Sequence, residues 1–172
     1  MVKKIVFLLA SVIMALASEY TLDTSKSEVY YDAKKDQFFS TYTVIGLNKT
    51  LSGSLQTAGA TLKGNLKIDV LKFVSDSEKR DENVAEHMNA PTQPFVTFTY
   101  IIANNTARGE MSINGVTQNI SFPVSIKESA SELSVDGNIT VKYTDFGMET
   151  PSNFILSAHD ELVIGARLYF KK

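Results

Sequence analysis

The side chains that could do chemistry are few and scattered. The chain has two histidines, His87 and His159, and no cysteine. A zinc site needs three or four nitrogen, oxygen or sulfur ligands. Two distant histidines without His-Glu-x-x-His spacing do not supply them, so no metal is expected. Asp160 and Glu161 beside His159 offer acid and base groups. Adjacent residues on a strand point to opposite faces, so these three would not converge on one substrate. Ser25, Ser40 and Ser112 have no local partner signature, and no Gly-x-Ser-x-Gly, phosphate-loop or dinucleotide fingerprint is present. No catalytic residue is therefore assigned and no cofactor is expected. One grouping is more suggestive. Arg80, Val84 and His87 are spaced by four and three residues, which puts them on one helical stripe. That stripe could present Arg80 or His87 to the head group of a ligand. The competing reading pairs Arg80 with a nearby acid and leaves His87 in solvent. Asp81, early in the same helix, suits the helix dipole and either orients Arg80 or ties the helix to its scaffold.

The helix that carries this stripe is set among strands. Asp76 to Met88 is rich in Glu, Lys, Arg and Ala and predicts a helix. Ser75 with Glu78 fits a capping box. Asn89 can adopt the left-handed conformation that ends a helix, and Pro91 blocks its continuation. On either side the pattern has period two. Glu28 to Tyr31 predicts a strand, and the polar Asp32 to Asp36 a turn. Phe38 to Gly46 predicts a strand, with Gly46 marking a bend or bulge. Thr50 to Leu55, Asn65 to Phe73, Phe95 to Ala103 and Ala107 to Ile113 continue the series. Asn114-Gly115 is a strong hairpin signal because both positions can take positive φ. Val116 to Lys127, Leu133 to Tyr143 and Leu162 to Phe170 follow, with Thr144 to Ser157 irregular. About eight such strands predict a mainly β fold, an antiparallel barrel or sandwich with one short helix near mid-chain.

The inward residues this phase implies include Phe98, Tyr100, Met111, Phe122, Ile139, Val141 and Ile164. All are apolar or aromatic. An eight-stranded barrel either fills its interior with side chains or holds one small ligand there. Any cavity in this one would be greasy.

Met1 to Ser18 has the shape of a secretory signal: Lys3 and Lys4, an apolar Ile5 to Met14, then Ala15-Leu16-Ala17. Cleavage is expected after Ala17, leaving residues 18–172 as one domain in the periplasm or medium. The apolar run is short for a transmembrane helix, so no stable membrane span is expected. Without Lys3 and Lys4 the 17 basic residues fall to 15 against 19 acidic ones, a net charge of −4. That argues against nucleic acid as a partner. A homodimer is compatible with the chain.

Six short motifs occur in order: Tyr20-Thr21-Leu22-Asp23, Leu51-Ser52-Gly53-Ser54-Leu55, Arg80-Asp81, Pro94-Phe95 with Phe98, Gly109 to Thr117, and Asp145-Phe146-Gly147-Met148. In this the chain resembles the YceI family of periplasmic lipocalin-like proteins. The resemblance implies an extended eight-stranded barrel with a helix beside its mouth. It also implies a long apolar cavity for polyisoprenoids, isoprenoid quinones or fatty amides. The chain departs from the family pattern at Tyr143, where the family usually has Arg. It departs again at Glu82 and Asn83, where a helix histidine often stands.

The leading expectation is a binding protein, not an enzyme, that holds a long-chain amphiphilic lipid. Phe98, Tyr100, Met111, Phe122, Ile139, Val141 and Ile164 would meet the tail, with Arg80 and His87 near the head. Two other readings stand beside it: an enzyme of the same compartment using His87 as base, and a small outer-membrane barrel.

Overall fold

The computed structural model describes residues 18–37, 40–151 and 156–172. The signal expected over residues 1–17 lies outside the described residues. So do Phe38 and Phe39, where a strand was expected to begin, and residues 152–155 of the irregular stretch.

The elements in chain order are β1 (Glu19–Leu22), β2 (Glu28–Gln37), β3 (Ser40–Asn48), β4 (Leu51–Ala58), β5 (Thr61–Asp69), α1 (Glu78–His87), β6 (Phe95–Ala103), β7 (Thr106–Ile113), β8 (Val116–Glu128), β9 (Glu132–Lys142) and β10 (Leu156–Lys171). Every pairing is antiparallel. Eight strands close a ring in the order β1-β4-β5-β6-β7-β8-β9-β10, and β1 returns to β10. Closure leaves no unpaired edge at that end. The long strand β10 is shared. Phe170 and Lys171 pair with β1, while Leu156 to Arg167 run along β2. The hairpin β2–β3 thus extends the wall beyond the ring, with β3 last in the strand order.

That arrangement leaves a gap between β3 and β5–β6 at one end of the barrel, and the segment Val70 to Pro94 spans it. A 3-10 turn, Val70–Lys72, begins the crossing, and Asp69 caps it by accepting from the Leu71 N–H. Val74 and Leu47 exchange backbone hydrogen bonds of 2.9 and 2.8 Å, which ties the crossing to β3. Helix α1 follows. Its cap is Ser77, whose hydroxyl accepts from the Arg80 N–H, rather than Ser75. Ser75 is engaged elsewhere: its N–H and hydroxyl both donate to the Asp81 carboxylate, at 3.0 and 2.6 Å. Asp81 therefore anchors the helix to the strand of chain leading into it. Asn89 ends the helix with φ of 55°, as its residue type predicts.

Two other local expectations are corrected. Asp32 to Asp36 is not a turn but the continuation of β2, paired residue for residue with β3. Its alternate positions Tyr31, Ala33 and Lys35 face a cavity, so the polar composition disguised a strand. Gly46 is not a bulge, because the β2–β3 register runs through it unbroken. It is instead the seat of the Tyr31 ring. A Cβ at Gly46 would lie 2.2 Å from Tyr31 Cε1, far inside van der Waals contact. The hairpin at Asn114-Gly115 carries positive φ at both positions, as expected, and the one at Asn104-Asn105 does the same.

Inside, the apolar alternation predicted for β5 to β10 forms one core. Residues of β6 show the phase plainly: Val96, Phe98, Tyr100 and Ile102 are buried, while Phe95, Thr97, Thr99 and Ile101 are exposed. A membrane-spanning barrel has the reverse arrangement, apolar outside and polar within. No helix among the described residues is long and apolar enough to cross a membrane.

Candidate ligand cavity

The barrel interior holds two chambers on one axis. Val29, Ile68 and Ile164 line both and mark the constriction between them. Along β10 the inward residues step from one to the other: Leu162 in the upper, Ile164 at the waist, Leu168 in the lower. Fully buried Phe170, Leu55 and Leu133 belong to the core at the end that β1 closes.

The lower chamber has a volume of about 60 Å³. Phe98, Tyr100, Met111, Phe122, Ile139 and Ile164, all anticipated as tail contacts, are in its wall. Phe98 stacks on Tyr100 at 4.9 Å and meets Phe122 at 5.8 Å, so an aromatic cluster fills much of the space. The Tyr100 ring lies against Gly64, directly opposite it on β5. Its hydroxyl is buried with no partner, and burial pushes its pKa well above the ordinary tyrosine range. Val141 differs from the other anticipated residues. It lies opposite Leu162 in the β9–β10 register and is buried in the core, but lines neither chamber.

The upper chamber is larger, about 360 Å³, and lies under α1. The helical stripe predicted from sequence is present: Arg80, Val84 and His87 all line it. Its opposite wall is β2, which contributes Tyr31, Ala33 and Lys35. Tyr31 packs on Phe73 at 5.3 Å. Its hydroxyl has no hydrogen-bond partner, and burial, with Asp81 adding to it, pushes its pKa up to about 12. His87 packs edge-on against Tyr143 at 5.8 Å, and its Nε2 is buried without a partner. Tyr143 is also pushed up to about 12 by burial. Arg80 is held by Asp76, in contact with its Nη1, and by the Ser75 hydroxyl at 3.4 Å. Arg80 thus pairs with an acid, as one reading expected, and at the same time lines the cavity. Val44 and Arg80 also line an open groove between β3 and the start of α1.

The remaining rim is set by the Asp-Phe-Gly-Met motif. Phe146 and Met148 are buried, and Gly147 has φ of 65°. Asn114 and Gln118 donate to the carbonyls of Phe146 and Asp145, at 3.3 and 2.7 Å, pinning the motif to the β7–β8 hairpin. Glu149, Thr150 and Pro151 leave it along the chamber edge. His159 is elsewhere, paired with Asp36 at 2.9 Å on the outside, while Asp160 bonds Thr144. Among the described residues the two histidines lie apart, one in the chamber wall and one on the outside.

Sequence reasoning missed Tyr31, Lys35, Asn83, Tyr143 and Glu149 as chamber residues. The period-two phase of β2, continued from Val29 through Tyr31, would have placed Lys35 inside.

The result is a greasy barrel, closed at the β1 end, with a helix over a polar mouth. The model of the YceI-like domain matches residues 20–170. The chain belongs to the YceI family. No curated protein matches it. Among solved structures it is similar to BcnA of Burkholderia cenocepacia, at 23% identity over 86% of this chain and 98% of that one, with a TM-score of 0.72. It is similar too to a polyisoprenoid binding domain from Saccharophagus degradans implicated in plant cell wall breakdown, at 14% identity over 88% and 97%, TM-score 0.70. The Campylobacter jejuni YceI protein follows at 17% identity over 80% and 90%, TM-score 0.65. At these identities the likeness establishes the shared barrel fold.

Proposed function

We propose that this YceI protein is a binding protein for a long-chain amphiphile: a polyisoprenoid, an isoprenoid quinone or a fatty-acid-like lipid. The carrying observation is the single interior axis, apolar at the closed end and polar under α1. The tail lies toward Phe98, Met111, Phe122 and Ile139, and the head stays with Arg80 and His87. Burial drives it. Each CH₂ removed from water contributes about 0.8 kcal/mol, so a dozen give on the order of 10 kcal/mol. That is comparable to the cost of immobilising a ligand, roughly 4–15 kcal/mol. The protein carries or stores the amphiphile in the periplasm or outside the cell, reached by its cleaved signal. Membership of a family with a polyisoprenoid-binding structural neighbour supports this reading.

The test is displacement of an apolar fluorescent dye from the purified protein by an isoprenoid quinone and by a fatty amide. Saturable displacement at one ligand per chain is expected. Dye that stays bound at ligand saturation, or never binds, overturns the reading.

A further inference from the structure

We propose that the upper chamber selects an amphiphile with an anionic head, a carboxylate or a phosphate, lodged between Lys35, Arg80 and the Tyr31 hydroxyl. This rests on the binding reading above and names the class of head group it leaves open.

Four observations carry it. Lys35 lines the chamber from β2 and has no carboxylate partner among the described residues. Arg80 lines the same chamber from α1, and the acid it pairs with, Asp76, is an exposed residue outside the chamber lining. The two cations act on each other: burial, then the charge of Arg80, lowers the Lys35 pKa. A lysine held half out of water beside another cation is a site short of negative charge. Third, Tyr31 presents a buried hydroxyl with nothing to bond, in the same wall. A buried donor without an acceptor is costly, and a ligand oxygen would satisfy it. Fourth, the nearby carboxylates are otherwise engaged or peripheral. Asp81 is committed to Ser75, and Glu149 is an exposed residue of the rim. An anion placed there gains charge-assisted hydrogen bonds that a neutral amide or alcohol does not.

The experiment compares four ligands with one sixteen-carbon tail: palmitate, hexadecyl phosphate, palmitamide and hexadecanol. Each displaces the same dye from the wild-type protein, from Lys35→Met and from Lys35→Gln. At least one anion is expected to bind about tenfold tighter than the amide and alcohol, and both variants to lose that advantage. Palmitate above hexadecyl phosphate identifies a fatty carboxylate, and the reverse an alkyl phosphate. Equal binding of all four to wild type, or an anion preference that survives in both variants, overturns the inference while leaving lipid binding intact. If none of the four displaces the dye, the anionic-head inference is overturned, and the binding reading fails with it only if an isoprenoid quinone also leaves the dye bound. Retained β-sheet circular dichroism in at least one variant makes the comparison valid, since Met keeps the lysine's apolar stem and Gln its polarity.

Discussion

The two chambers of this barrel are built by different rules. The lower one draws on the regular phase of β5 to β10, and its aromatic cluster packs like an ordinary core. The upper one is assembled from a polar stretch of β2, a helix and the rim after Met148. One is walled almost wholly by apolar and aromatic side chains. The other presents the Lys35 and Arg80 cations and the unbonded Tyr31 hydroxyl. The difference teaches that period-two alternation builds the apolar wall, while the polar mouth arises where strand, helix and loop meet.

The sharpest break to that comparison is Phe98→Ala. It removes the ring at the centre of the lower cluster and should cost about 3–5 kcal/mol of stability, measured by urea unfolding. It should also shift preference toward longer tails. A cost below about 1 kcal/mol would mean the lower chamber is not a packed core. Next is Gly46→Ala. The new Cβ would displace the Tyr31 ring, at a cost of about 1–3 kcal/mol. No change in stability would show that the ring moves freely in the upper wall. Smaller, and opposite in sign, are the two hydroxyl deletions. Tyr100→Phe and Tyr31→Phe each remove a buried hydroxyl with no partner, and each should raise the stability of the ligand-free protein by about 1 kcal/mol. Only Tyr31→Phe should weaken binding of the ligand head. Equal effects of both on binding would erase the distinction between chambers.

The smallest effect is expected at the closed end. Asp23 is held at about 2, mainly by its hydrogen bond to Lys171 and then by Ser25, and Lys171 Nζ lies 2.8 Å away. Its folded pKa is below the ordinary 3.8, so its contribution is complete above that value and is lost as pH falls toward 2. Asp23→Asn should flatten the acid limb of thermal stability between pH 4 and 2, while leaving ligand binding at neutral pH unchanged. An unaltered acid limb would show that this pair does not help hold β1 to β10.

The barrel was legible wherever alternation was regular. Phe98, Tyr100, Met111, Phe122, Ile139 and Ile164 were all readable because apolar side chains at period two point one way. The Arg80–Val84–His87 stripe was readable from helical spacing. What escaped was the polar wall. Lys35 sits in Asp-Ala-Lys-Lys-Asp, where composition says turn and only register with β3 says strand. A polar residue that faces inward looks the same in sequence as one that faces water. Val141 shows the converse: right phase, yet covered by the core before it reaches a cavity. The cap moved from Ser75 to Ser77 because two serines compete for one role, and Asp81 takes the first.

The axis from Phe98 to Arg80 is proposed to hold an amphiphile. The direct measurement is mass spectrometry under native conditions on protein taken from its own cells, followed by solvent extraction of whatever it carries. One lipid with a long apolar tail and a polar head per barrel is the predicted result. An empty barrel that also fails to take up isoprenoid quinone, fatty amide or fatty acid would contradict it.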